Sequence, residues 1–349
     1  MVFFKTANEI TNNFDFVVRN GVAKLMEDMK KAPKFDPNNK PEYGKKNEYF
    51  NEANNICQFS LWQLGLYNLC ETYYSILLTQ IREYEKKTPT NFNKGMVYAN
   101  LGVSQVAQGK IDEGFANILK AQMEDEPYHK TDASKSVFNL ELYSQFEDGK
   151  VGREGIKDYI LKHSQLYQTE ESKTIDKAFL GGLISSLDTD SRILFISLVE
   201  KIRRNFIVFD DKDNRFTRLQ IFLCLQDLCL SIENALKTKN NKKGMMMREL
   251  LDSLFSTTSG RPRVWKPAFD DNYGFTTSHD ETQFENNLKE IFKLPDSKAR
   301  RLLICCAVRN FSSHNLDVGN NWVFQKVNIT SIFDNILSSL LFLHEQGCV

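Results

Sequence analysis

Three residues stand together in a way that could do chemistry: Arg309, Asn310 and His314, in the run LLICCAVRNFSSHN from Leu302 to Asn315. Cleaving RNA without a metal requires a base near the 2′-hydroxyl, an acid for the leaving 5′-oxygen and positive charge on the transition state. Histidine, with an ordinary pKa near ~6.5, can serve as base or acid, and arginine offers a permanent bidentate cation to the phosphate. Asn310 could hydrogen-bond the same phosphate or orient His314. The products would be a 2′,3′-cyclic phosphate and a 5′-hydroxyl. A spacing of five on a continuous helix puts Arg309 and His314 about 140° apart, so they could not converge on one phosphate. Either the helix ends at Ser312-Ser313, which bond readily to local backbone, or the residues act across a subunit interface. Each residue also has a plain reading: a cation at a helix C-terminus for Arg309, a surface amide for Asn310, a helix cap for His314.

A second feature is the basic interval Lys237 to Lys266. Within it Lys242, Lys243, Arg248, Arg261, Arg263 and Lys266 could track an RNA backbone, with Trp265, Phe269 or Tyr273 as stacking surface; a solvated loop is the alternative. Glu233 and Lys237 sit at helical i,i+4 spacing, as a surface pair would. Met245-Met246-Met247 reads as packing, with an adaptable contact surface as the alternative. No phosphate loop, dinucleotide fingerprint, HExxH, GxSxG or EF-hand loop is present, and no cofactor or metal is expected. The other histidines, His129, His163, His279 and His344, have surface or structural contexts. Seven cysteines without a CxxC pair read as reduced, buried small hydrophobes.

The elements that must position these residues are helical. The chain has 17 glycines and 8 prolines in 349 residues, below the typical usage of about 7% and 5%, so turns are few and elements long. Formal charge balances at 45 basic against 45 acidic side chains, which removes any polyanion-coating role for the whole chain. No run reaches the ~18 apolar residues of a membrane span, and Lys5 and Glu9 interrupt the start where a signal peptide needs an apolar run; a cytoplasmic location is expected, with no membrane partner. The expected fold is all-α in three parts: an N-terminal helix and polar loop over 1–46, helical hairpin repeats over 47–205, and a four- to five-helix bundle over 216–349. The 256–278 stretch is expected to be irregular. Helix 216–237, apolar on nearly all sides, belongs in the middle of the bundle. Helices are expected near 245–255, 280–293, 297–313 and 329–345.

In the repeat region, Tyr98, Leu101, Gly102, Gly109, Gly114, Ile118, Ala121 and Pro127 resemble one tetratricopeptide unit of about 34 residues, flanked by degenerate copies. Small residues stand where two helices touch, and large ones fill the groove beside them. Such repeats would present a concave surface to a protein or peptide.

The Arg-Asn-x3-His pattern, at the end of an apolar helix two helices from the C-terminus of an all-α bundle, resembles the HEPN superfamily. The resemblance covers about Phe216 to Val349. It implies a metal-independent endoribonuclease acting on single-stranded RNA, with Arg309, Asn310 and His314 catalytic. It also implies a homodimer whose two motifs share one groove, and an accessory role for Glu233 on the first bundle helix. The setting implied is a regulated toxin or antiviral defence effector. The alternatives are a non-catalytic dimeric scaffold and a partner subunit of a toxin complex.

Overall fold

The computed structural model describes residues 66–87, 93–125, 156–171, 174–208, 215–255, 265–311 and 322–349, with Arg19 and Ala23. Its described part is predominantly helical, with 13 α-helices and no strand among those residues. The chain divides into two compact units, Met1–Arg153 and Glu154–Val349. The expected 1–46 segment, apart from two helical residues, and the parts 47–65 and 132–155 of the flanking repeat copies expected at 47–88 and 132–167 lie outside the described residues.

In the first unit, α1 (Tyr67–Lys87) packs on α2 (Gly95–Ala107), which pairs closely with α3 (Ile111–Asp125). Tyr73, Tyr74, Leu77 and Ile81 form the buried face of α1. The α2–α3 turn is a Schellman closure: Gly109, at φ 90, lets its own N–H reach the Val106 carbonyl (3.0 Å) and the Lys110 N–H reach that of Gln105 (3.0 Å). Gly102 and Gly114 face each other where the helices touch. A Cβ on Gly102 would stand 2.5 Å from the Gly114 carbonyl oxygen, and one on Gly114 would stand 2.7 Å from that of Gly102. The hairpin expected from these glycines is therefore present.

The second unit begins with α4 (Ile156–His163), α5 (Gln165–Glu171), α6 (Lys177–Ser186) and α7 (Thr189–Val208). It continues with α8 (Arg215–Asn240), α9 (Met247–Phe255), α10 (Trp265–Asn272), a 3-10 turn (Tyr273–Thr276), α11 (Glu281–Lys293), α12 (Lys298–Asn310), a second 3-10 turn (Trp322–Phe324) and α13 (Lys326–Glu345). The boundary expected between 205 and 216 does not separate the units. Helix α7 packs along α8, and α4 and α5 pack on α13, because their apolar faces (Tyr159, Ile160, Tyr167, Phe195, Val199, Ile202) are buried within this unit. Polar contacts reinforce that docking: His163 Nδ1 meets Asp334 at 2.6 Å, and the Tyr167 hydroxyl donates to Glu345.

Helices α8, α12 and α13 form the centre. Helix α12 is buried at every position from Arg301 to Val308, and α13 at every position from Asn335 to Leu343. By length and composition Phe216–Asn240 and Lys326–Glu345 could cross a bilayer, yet both are mostly covered by neighbouring helices, as core helices are. Helix α8 is not apolar-buried all round: Phe216 and Leu230 are exposed and Leu223 is half-buried, leaving an uncovered strip at seven-residue intervals. The stretch expected to be irregular contains α10 and the first 3-10 turn. Pro267 falls in the first turn of α10, where it costs no helix bond, and Phe269 supplies a buried anchor. The six described cysteines are buried; Cys57 is outside the described residues.

His344, near the end of α13, packs edge-on against Phe179 and lies 3.3 Å from the Ser186 hydroxyl. Burial pushes its imidazole below the ordinary value, Lys239 acts the same way, and a bond with the Val349 carbonyl opposes them. The folded chain thus holds this proton less tightly than the unfolded chain. The stability this site contributes is complete above the ordinary pKa of ~6.5 and is lost as pH falls through the lowered folded value. Urea unfolding between about pH 7.5 and 5.5 is expected to show a smaller loss of stability for His344→Gln than for the parent chain.

Candidate functional site

Helix α12 starts at Ser297, whose side chain accepts from the Arg300 N–H, and ends at Asn310. The next residue, Phe311, is extended at φ −71, ψ 127, and its ring stacks on Phe284 with centroids 4.0 Å apart. Gln226 of α8 caps this end: its Nε2 donates to the carbonyls of Phe311 (2.6 Å) and Val308 (3.3 Å), groups that a helix C-terminus leaves without intrahelical partners. Helix termination before Ser312 removes the 140° constraint on Arg309 and His314. His314 itself lies outside the described residues.

Arg309 is held in a defined orientation. Its Nε donates to Glu233 Oε2 at 2.6 Å, its Nη2 to Glu233 Oε1 at 3.2 Å and its Nη1 to Asn310 Oδ1 at 3.1 Å. Such a fork fixes both the position and the plane of the guanidinium. Three of its five N–H donors are taken by oxygen acceptors and a fourth, on Nη2, by the weakly accepting Met246 sulfur at 4.0 Å, which leaves one donor on Nη1 open to an anion. The Glu233 side chain is 2% exposed and that of Arg309 19%. Lys237 adds a second cation on Glu233 Oε1 at 2.5 Å. The expected surface pair is thus two members of a three-residue cluster around a buried carboxylate.

Asn310 donates to the Thr276 carbonyl at 3.3 Å, which ties α12 to the first 3-10 turn. Within that turn the Thr276 hydroxyl donates to the Tyr273 carbonyl at 2.8 Å. Burial pushes the Tyr273 phenol above its ordinary value, and Cys306 adds to this. It therefore remains a neutral hydrogen-bonding group at physiological pH. Cys305 and Cys306, one turn before Arg309, are held well above the ordinary thiol range, the first by its bond with Cys229 and then burial, the second by burial. Neither is a nucleophile.

The basic residues separate into groups. Helix α8 closes with a Schellman motif around Asn241 (φ 51), the Lys242 N–H reaching the Lys237 carbonyl at 2.9 Å, which leaves Lys242 and Lys243 exposed on the turn. Arg248 on α9 lies over the Tyr273 ring, 4.3 Å from its centroid. Lys266 is bound to Asp252 at 2.7 Å and to Asp270, with its side chain 13% exposed. Burial lowers its pKa, but these carboxylates outweigh burial and hold it above the ordinary value. Lys266 is a structural ion-pair residue, because two carboxylates already occupy its ammonium. Arg261 and Arg263 lie outside the described residues. Of the three candidate stacking rings, Trp265 packs on Phe255 and Phe342 and Phe269 is fully buried, so only Tyr273 stands at the site.

Three contributors were not legible as site residues: Gln226, Met246 and Thr276. Gln226 interrupts an apolar run, which is the signal that it has a buried polar task, while Thr276 acts through its backbone and leaves no side-chain signal. Among the described residues no three or more His, Cys, Asp or Glu side chains converge as a metal site. Comparison with protein-family models, curated proteins and solved structures gave no match.

Proposed function

We propose that the chain is a metal-independent endoribonuclease of HEPN type that cuts single-stranded RNA by attack of the 2′-hydroxyl. The observation that carries this reading is Arg309. It stands at the end of α12 beside Asn310, locked by a buried carboxylate on α8, with one Nη1 donor open and one Nη2 donor held only by the Met246 sulfur, and His314 follows in sequence after three further residues. A preorganised guanidinium of this kind stabilises charge that develops on a phosphoryl centre without reorganising during the reaction. His314 then acts as base or acid and Asn310 orients the phosphate, with Glu233 as the residue that positions Arg309.

In this reading two copies pair through the bundle, and the strip Phe216, Leu223 and Leu230, which runs along α8 toward Glu233, gives the pair an apolar seam. The α1–α3 unit is read as tetratricopeptide-like, binding a protein or peptide that controls the nuclease. The biological role is that of a regulated toxin or antiviral defence effector in the cytoplasm. The test is incubation of the purified chain with labelled single-stranded RNA in EDTA, with light scattering on the same sample. Endonucleolytic cleavage by a dimer is expected.

A second reading, a non-catalytic dimeric scaffold or toxin-complex subunit, draws on the same bonds: Glu233 neutralises Arg309, as a purely structural ion pair would. It predicts that His314→Ala leaves partner binding and cellular effect unchanged, whereas the nuclease reading predicts loss of toxicity.

A further inference from the structure

Two residues beside the Arg309 cluster are arranged in a way that phosphate binding does not require. The Arg248 guanidinium covers one face of the Tyr273 ring at 4.3 Å from the centroid, while its own side chain remains 48% exposed. Its carboxylate neighbour, Asp252, is 3.9 Å from Nε, too far for a hydrogen bond that would pin it. The guanidinium is therefore backed by an aromatic ring while about half of its side chain stays open to solvent. Tyr273 in turn is anchored through its turn: the Thr276 hydroxyl donates to the Tyr273 carbonyl at 2.8 Å, and the Thr276 carbonyl accepts from Asn310 at 3.3 Å. A continuous line of contacts runs Arg248, Tyr273, Thr276, Asn310, Arg309.

We propose that the outer face of Arg248, backed by Tyr273, is the platform on which an unpaired nucleobase stacks when the neighbouring phosphate occupies Arg309. Guanidinium planes stack on bases as aromatic rings do, and the site thus reads a base plane next to a phosphate, the repeat unit of a single strand. A duplex, with its bases already stacked, cannot supply that partner. The inference rests on the proposed RNA substrate and gives it a contact that selects single strands.

The test uses a short fluorescent RNA, 2′-O-methylated throughout so that it cannot be cut, with an abasic nucleotide placed in turn at each position. The parent chain is expected to bind the intact RNA about tenfold or more tightly than the form abasic at one particular position, the usual size of a base-stacking contact. Arg248→Ala is expected to erase that difference. Arg248→Lys, which keeps the charge and lacks the plane, is expected to erase it too while keeping the salt dependence of binding. Tyr273→Phe keeps the ring and should retain the difference. The inference is overturned if no RNA binds, if no position matters, or if Arg248→Lys behaves as the parent chain. Circular dichroism of the variants confirms that they fold. Because the RNA is uncleavable, an intact platform with no cleavage of ordinary RNA would sink the nuclease reading and leave this one standing.

Discussion

Arg309→Ala is expected to reduce RNA cleavage by about 10²–10³-fold, the usual effect of removing one preorganised charge donor from a transition state. It should also lower stability, because it strips a bidentate partner from a carboxylate that is 2% exposed and leaves it with Lys237 alone. Breaking a buried pair from one side costs about 3–5 kcal/mol, and the remaining lysine places the expected loss near ~3 kcal/mol. For a unit of this size that corresponds to roughly 6–12 °C in Tm. The two effects are separable. Arg309→Ala combined with Glu233→Gln removes the unpaired charge, so much of the stability is expected to return while cleavage stays lost. Recovery of cleavage in the double variant would mean that Arg309 serves only the fold.

Gly102→Leu is expected to open the α2–α3 hairpin. Even the first atom of the new side chain would lie 2.5 Å from the Gly114 carbonyl oxygen and 2.8 Å from Ile118 Cγ1. Backbone cannot yield as a flexible side chain can, so the helices must separate, and the remainder of the leucine widens the gap. Overpacking usually costs about 1–3 kcal/mol; a clash against backbone on a helix buried nearly throughout should exceed ~3 kcal/mol. Loss of helical signal and new protease cleavage within 93–125 would report it. Gly274→Ala is the matched control, since a Cβ there meets nothing within 4 Å, and it should leave unfolding unchanged within about 0.5 kcal/mol.

The helical class and the α2–α3 hairpin were legible because both rest on local pattern. Gly102, Gly109 and Gly114 mark contact and turn by their own size, and the last helix shows its period from Ile329 to Leu341. The assignment of α4 to α7 was not legible, since an amphipathic face states that it is buried without stating against what. Helix α8 reads as surrounded because Leu219, Phe222, Leu223, Leu225, Leu228 and Ile232 put apolar side chains on nearly all its sides, yet Phe216 and Leu230 are exposed and Leu223 is half-buried in the single chain. At the site, spacing identified Arg309 and Asn310, and i,i+4 geometry paired Glu233 with Lys237. Only the crossing of α8 and α12 could show that Arg309 takes both oxygens of the same carboxylate. Lys266 illustrates the converse: its basic neighbourhood in sequence suggested RNA, but Asp252 and Asp270 hold it in space.

The most direct test of the central claim is the chemistry of the product ends. Single-stranded RNA is incubated in EDTA with the parent chain and with His314→Ala, and the termini are mapped. The account predicts 2′,3′-cyclic phosphate and 5′-hydroxyl ends from the parent chain and none from the variant. Ends carrying a 5′-phosphate, cleavage that EDTA abolishes, or equal cutting by His314→Ala would contradict it.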